Sequence, residues 1–157
     1  MSRALLFTDG ACHINPGPGG YGAILKTDAG EKIIQEDFSF TTNNRMELMG
    51  VLSGIRELKK TSSEIHIYSD SKYVVNAIRE GWVWKWKAKH FKKKKNKDLW
   101  TEYIRLSEGM NISLHWVKGH NGHPENERCH VLAQKAVEKV LKEGTQNKDV
   151  GYEEGLA

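Results

Sequence analysis

Residues 41–58 read TTNNRMELMGVLSGIREL, and here the chain changes its period. Met46, Leu48, Met49, Leu52, Ile55 and Leu58 recur at helical spacing, which predicts a helix over roughly 44–60 with one apolar stripe. Thr42 or Asn43 can cap it. Upstream the pattern is extended. Residues 4–8 (ALLFT) are an apolar run ending at Asp9 and read as a buried strand, and residues 15–22 (NPGPGGYG) are dense in turn formers. Residues 21–27 and 31–40 read as two more strands around the turn Asp28-Ala29-Gly30, so strands one to three form an antiparallel meander. Downstream, residues 64–69 (EIHIYS) alternate like a strand and lead to Asp70. Helices are predicted at 71–80, 98–107 and 125–142, the last with Leu132, Ala136 and Val140 on one face, and a strand at 112–117. Three strands, helix, strand, helices, strand, helix is the order of an α/β fold, a mixed sheet with helices packed on it.

The 157 residues suit one domain that can bury roughly two-thirds of its unfolded surface, enough to fold without disulfide or structural metal. The domain is read as 1–142, including a basic arm at 82–97, and residues 143–157 as a polar, mobile tail. No secretory segment opens the chain, and no apolar run approaches the ~20 residues of a membrane helix. A cytoplasmic monomer with no membrane partner is expected, with Cys12 and Cys129 as reduced thiols. Charge is uneven. Lys85 to Lys97 (KWKAKHFKKKKNK) holds eight lysines in thirteen residues and no acid, against a net charge of only +4 for the whole chain. The remainder is therefore acidic, which suits a polyanionic partner met at one defined place.

Three acids occupy informative positions. Asp9 interrupts an apolar strand end, Glu47 lies in the first turn of the amphipathic helix, and Asp70 follows a strand and opens a helix. Strand ends and helix starts of α/β sheets tend to face a common crevice. Carboxylates gathered there repel one another unless a cation neutralises them, and oxygen-only ligands suit Mg²⁺ or Mn²⁺ rather than Zn²⁺. Each acid alone also fits a plainer role: Asp70 as a helix cap, Glu47 as a surface residue beside a favourable dipole, Asp9 as a turn residue before Gly10.

FTDGAC at 7–12, NPGPGGYGAIL at 15–25, TTNNRMEL at 41–48, SDSKYV at 69–74 and WVKGHNGHPENERC at 116–129 closely resemble bacterial ribonuclease HI, collinearly from about residue 3 to 142. The resemblance implies a ribonuclease H-like fold: a five-stranded mixed sheet, strands one to three antiparallel, flanked by helices. It implies metal-dependent endonucleolysis of the RNA strand of RNA/DNA hybrids, two ions per site, leaving 5′-phosphate and 3′-hydroxyl ends. It maps catalytic metal ligands onto Asp9, Glu47 and Asp70 and a proton-transfer or product-release histidine onto His120. Gly17, Gly19 and Gly20 resemble the family's tight turn beside the substrate groove. Cys12, Asn15, Asn43 and Asn44 resemble contacts to the hybrid's minor groove, where 2′-hydroxyls distinguish RNA from DNA. Thr42 and Asn96 resemble part of a pocket for a DNA-strand phosphate.

The resemblance breaks at position 130, where the family's fourth acid is His130. Its imidazole is expected to ligate a metal directly, which suits Mn²⁺ better than Mg²⁺, to hold a water on the metal, or to mark a site that has lost one ion; in each case the lost negative charge weakens Mg²⁺ binding. His120, His123, Cys129 and His130 do not make a standard zinc pattern. His123 is read as structural near Pro124, and His13, His66, His90 and His115 as surface or satisfied histidines.

In the arm, Trp82, Trp84, Trp86 and Phe91 interleave with lysines. Lysines can bind phosphates and aromatic faces can pack on sugars, while the plainer pattern is a helix packed through its tryptophans under solvated lysines. Both are expected: Trp82 and Trp86 inward, and lysines including Lys87 and Lys89, with Lys72 nearby, toward the DNA strand. Trp100 and Trp116 are assigned to the core. The competing readings are a hybrid-binding module with crippled chemistry and an integrase-like nuclease of the same superfold; the 2′-hydroxyl-reading blocks oppose the latter.

Overall fold

The computed structural model describes residues 2–58, 62–118 and 123–155. Its strands are β1 (Ser2–Cys12), β2 (Gly17–Thr27), β3 (Gly30–Thr41), β4 (Ser62–Ser69) and β5 (Ile112–Trp116). They form one sheet in the order β3-β2-β1-β4-β5. The β1–β2 and β2–β3 pairs are antiparallel, as the resemblance implies, and the β1–β4 and β4–β5 pairs are parallel, which makes the sheet mixed. Helices α1 (Asn43–Glu57), α2 (Lys72–Arg79), α3 (Trp82–Ala88), α4 (Lys97–Ser107), α5 (Pro124–Glu143) and α6 (Val150–Glu153) complete the chain. Among the described residues no helix is long and apolar enough to cross a membrane.

The pleat of β1 sorts its side chains. Ala4 and Leu6 join the main core with Val51, Leu52 and Ile55 of α1, while Phe7 packs with Ile24 and Cys129 under α5. The sheet is thus covered on both faces, α1 on one and α5 on the other. The strand runs past its expected end to Cys12, and β2 begins at Gly17, so the glycines expected in a tight turn lie inside a strand instead. Only glycine fits there: a Cβ on Gly20 would collide with the Cβ of Ala136 on α5. Gly10 has the matching role toward α1, since a Cβ there would stand 2.6 Å from the Glu47 nitrogen.

Thr42, rather than Asn43, caps α1, accepting from the Arg45 amide at 3.3 Å. Trp100 is fully buried, as expected. Trp116 is not: it ends the edge strand β5 and is 41% exposed. The arm is also only half as expected. Trp86 packs edge-on against Trp100 at 5.9 Å, but Trp82 is exposed along with Trp84. Val83 is fully buried, and it lies three residues before Trp86, so the inward stripe of α3 runs through that pair rather than through Trp82.

The C-terminal segment differs most from expectation. Instead of a loose tail, residues 144–155 lie against β3 and α1. The Ser39 amide donates to the Asn147 carbonyl at 3.0 Å, and Asp149 is 2% exposed. The reason is Arg45, a fully buried arginine in the first turn of α1. Its Nε and Nη2 donate to Asp149 at 2.7 and 2.9 Å, and Nη1 and Nη2 donate to Asp98 at 2.9 and 2.7 Å. A buried guanidinium is tolerated only when paired and hydrogen-bonded on all sides, so the polar composition of the segment reflects a counter-ion rather than solvation.

Burial alone would raise the Asp149 carboxyl, but hydrogen bonds from Arg45 and Thr41 outweigh it and hold the group below the ordinary carboxylate range. A folded value below the unfolded ~3.9 means that the stabilisation is full above about pH 4 and is lost as pH falls through the folded value. Asp149→Ala is therefore expected to cost about 3–5 kcal/mol at neutral pH, the effect of stranding a buried charge. The gap to the parent should narrow below about pH 4. Urea unfolding at pH 7 and pH 3 measures both; equal stabilities at pH 7 would contradict the assignment.

Candidate active site

Continuing the β1 pleat, Asp9 follows Phe7 onto the α5 side of the sheet, and Gly10 presents its bare backbone to α1. That close approach brings Glu47 beside Asp9. One amide ties the two acids: Gly10 N–H donates to Asp9 Oδ1 at 2.9 Å and to Glu47 Oε1 at 2.7 Å. Asp70 enters from the end of β4, the parallel neighbour of β1. Oxygens of Asp9, Glu47 and Asp70 lie within 4.8 Å of one another. Asp9 and Glu47 are 6% and 3% exposed.

The plainer readings of the three acids do not describe this geometry. Asp9 lies within a strand, Glu47 is buried, and the cap of α2 is Ser71, whose hydroxyl accepts from Val74 N at 3.2 Å. Burial, then the charges of Asp9 and Asp70, push the Glu47 carboxyl well above the usual carboxylate range. Glu47 Oε2 is buried with no hydrogen-bond donor among the described residues. A divalent cation answers both observations, supplying the missing partner and the missing positive charge.

An open cavity of about 380 Å³ exposes the cluster, lined also by Asn43, Asn44, Lys72 and His130. His130, on α5, sets its Nδ1 3.0 Å from Asp9 Oδ2. It touches the cluster through Asp9 and is not one of its three grouped ligands. His120 lies outside the described residues.

A second cavity of about 420 Å³ adjoins the first, sharing Asn44, and brings together Asn15, Thr42, Lys95 and Asn96. Asn15 Oδ1 accepts from Asn43 N at 3.0 Å, which fastens the β1–β2 loop to the start of α1. The Cys12 thiol donates to the Thr41 carbonyl at 3.4 Å and lies next to this loop. Trp82, Lys87 and Lys89 line neither cavity; they project along the arm, with Lys87 Nζ 5.9 Å from the exposed Trp84 ring. Lys72 Nζ stands 5.1 Å from the Trp116 ring, whose Nε1–H donates to the Asp70 carbonyl at 3.3 Å. Trp116 is thereby an edge of the site rather than core.

Two site-building residues escaped sequence reasoning. Asn126 Nδ2 reaches the carbonyls of Thr8 and Tyr68 at 3.5 and 3.2 Å, joining β1 and β4 just before Asp9 and Asp70. Tyr152 lines the second cavity from α6. Arg45 carried the one available signal, a cation at the start of α1 next to the apolar stripe that begins at Met46. His66 Nδ1 and His115 Nε2 share one hydrogen bond at 2.7 Å, His66 Nε2 stands 3.3 Å from Glu64 Oε2, and the His123 ring packs on Tyr68 at 5.6 Å.

Residues 1–138 match the family model for RNase H. A ribonuclease HI from Helicobacter pylori is 47% identical over 145 residues, 92% of this chain and 100% of the relative. A ribonuclease H from Desulforamulus reducens is 46% identical over 144 residues, covering 88% of this chain and 90% of its own length. Among solved structures, LC9-RNase H1, described as a type 1 RNase H with the type 2 active-site motif, is similar over 99% of this chain and 81% of its own, with TM-score 0.77 and 30% identity. On the carboxylate geometry, the sheet topology and these matches together, the chain belongs to the RNase H family of ribonucleases.

Proposed function

We propose that this chain is an endonuclease that binds RNA/DNA hybrids and hydrolyses the RNA strand, leaving 5′-phosphate and 3′-hydroxyl ends. The observation that carries the reading is the convergence of Asp9, Glu47 and Asp70 within 4.8 Å, in a cavity open to a polymer. These three residues would hold Mg²⁺ or Mn²⁺, two ions per site. When bound, the ions neutralise the carboxylates, activate water and stabilise the leaving oxygen.

The protein's part is to hold and to read. Gly10 N–H fixes the Asp9 and Glu47 carboxylates in one orientation before any cation arrives, and Asn126 fixes the strands that carry Asp9 and Asp70. Cys12, Asn15, Asn43 and Asn44 read the minor groove, where the 2′-hydroxyl is the only mark of the RNA strand. The lysines of the arm and Lys72 meet phosphates, with Trp82 and Trp84 offering exposed aromatic faces. His120 is assigned the proton shuttle. His130 is assigned the fourth position of the metal site; its 3.0 Å contact with Asp9 supports a role in orienting that ligand.

A labelled hybrid incubated with Mg²⁺, Mn²⁺ or EDTA tests the function directly, with cleavage expected in both metals and none in EDTA. Asp9→Asn, Glu47→Gln and Asp70→Asn are each expected to lower turnover by about 100-fold or more, the loss of several kcal/mol of charge stabilisation, with unfolding midpoints preserved. Parent-like turnover in any of the three would remove that residue from the centre.

For His130, Mn²⁺ should support cleavage at lower concentration than Mg²⁺, since Mg²⁺ prefers oxygen ligands. His130→Asp should shift the Mg²⁺ dependence to lower concentration. Identical metal titrations for parent and variant would separate His130 from metal binding, while cleavage by the aspartate variant alone would make the parent chain a hybrid-binding module.

Changing Lys92, Lys93, Lys94 and Lys95 to Gln should weaken hybrid binding and flatten its salt dependence, by up to about 0.9 in the log–log slope for each phosphate no longer neutralised. An unchanged slope would mean that these lysines are only solvated.

A further inference from the structure

The second cavity has a composition of its own. Among the described residues its walls carry one cation, Lys95, several amides and hydroxyls, and no carboxylate. Hydrogen bonds already made fix which ends face the open space. Thr42 Oγ1 accepts from Arg45 N, so its O–H remains a donor. Asn15 Oδ1 accepts from Asn43 N, leaving its Nδ2 amide as the donor end. Asn96 spends its amide inward, Oδ1 taking Arg45 Nη1 and Nδ2 giving to the Tyr73 hydroxyl, so it serves as a wall. A donor-rich hollow with a single positive charge suits a singly charged phosphodiester.

One side of this hollow is Tyr152, and the fold spends several buried interactions on bringing it there. Helix α6 has four residues, too few to persist alone. Asp149 caps it, accepting from Tyr152 N at 3.3 Å while also taking Arg45 Nε and the Thr41 hydroxyl. Gly151 lies so close to the Arg45–Asp98 pair that a Cβ would meet Arg45 Nη2 at 2.6 Å and collide with Asp98 Oδ2. The Tyr152 ring rests against Phe40 at 5.6 Å. The same guanidinium thus holds Asn96 on one side of the hollow and the Tyr152 segment on the other.

We infer that the docked C-terminal segment is part of the substrate site, and that the Tyr152 hydroxyl donates to a non-bridging oxygen of one DNA-strand phosphate seated in the second cavity beside Thr42 and Lys95. Tyr152 is a binding and positioning residue for that strand. It does not touch the reacting atoms. The inference rests on the hybrid-cleaving reading given above.

The test measures hybrid binding by fluorescence anisotropy in an Asp9→Asn background, comparing Tyr152 with Tyr152→Phe and Tyr152→Ala. The phenylalanine variant keeps the ring and its contact with Phe40, so it isolates the hydroxyl. Its affinity should fall by about 10-fold, the loss of one hydrogen bond to a charged group, with an unchanged unfolding midpoint. In the cleaving protein the same change should raise KM and leave kcat alone. A single neutral methylphosphonate is then scanned along the DNA strand, and separately along the RNA strand. The Tyr152 protein should lose affinity sharply at one DNA position, and Tyr152→Phe should lose less there, by up to about the 10-fold its hydroxyl contributes, since Lys95 still loses the charge it meets. Equal affinity of the Tyr152 and Tyr152→Phe proteins, full additivity at every DNA position, or a coupled position found only on the RNA strand would overturn the inference while leaving hybrid binding intact. Failure of the Tyr152 protein itself to prefer hybrid over duplex DNA would instead overturn the functional reading on which it stands.

Discussion

The site depends on the absence of one side chain. Strand β1 and helix α1 come together at Gly10, where any Cβ would press on the Met46 and Glu47 backbone. Because that position is bare, Glu47 reaches Asp9 across the sheet–helix boundary, and the Gly10 N–H serves both carboxylates at once. Everything acidic about the centre follows. Glu47 is desolvated by the approach and pushed toward its neutral form by its neighbours, so the fold has stored a demand for positive charge that a cation meets. A wider spacing would have relieved the repulsion and dispersed the ligand set. The arrangement is a preorganised one, with its electrostatic cost taken at folding rather than at the moment of reaction.

Arg45 organises the neighbouring half of the surface in the opposite sense. Only Met46 stands between it and Glu47 on the same helix, yet one side chain sits fully buried between two carboxylates and the other has, among the described residues, no donor to its Oε2. The buried guanidinium draws Asp98 from the start of α4 and Asp149 from the C-terminal segment onto the first turn of α1. Burial alone would lower its affinity for a proton, but the two aspartates outweigh that and hold it charged. Fixing α4 fixes the end of the basic arm at Asn96, and fixing Asp149 fixes Tyr152. A structural ion-pair network thereby sets the walls of the second cavity.

Much of this was legible from residue order. The switch from period two to helical spacing at 41–58 gave the element order, and the three acids stood at β1, α1 and the end of β4, where the structure finds them. What could not be read was decided by tertiary partners. Trp82 and Trp86 have the spacing of a shared face, but on a seven-residue helix Val83 takes the buried place and only Trp86 turns inward. Trp116 has the composition of core but ends an edge strand. The glycines of NPGPGGYG signal turns locally, whereas packing of α5 on β2 uses Gly20 and Gly22 for clearance inside a strand. Residues 143–157 look solvated because nothing in their own sequence reveals that Asp149 answers an arginine 104 residues away. Local pattern fixes elements; long-range charge pairing is invisible to it.

The two cavities share Asn44, and their chemistry is opposed. One is walled by carboxylates, the other by donors and a single lysine. In the proposed function this opposition selects for a duplex with two unlike strands. The acidic hollow, once carrying divalent cations, accepts the phosphate of the strand to be cut; the donor-rich hollow accepts a phosphate of the other strand without them. In the same reading Asn43 of the first hollow, Asn15 of the second and Asn44 of both meet the minor groove, so groove width enters the selection as well as the 2′-hydroxyl. A duplex whose groove sets the two phosphates at another spacing would fill one hollow and miss its neighbour. Specificity then resides in the rigid distance between the hollows. That distance is set by α1, whose first turn carries Asn43 and Asn44 on the substrate side, Arg45 inward toward the second hollow, and Glu47 inward toward the first.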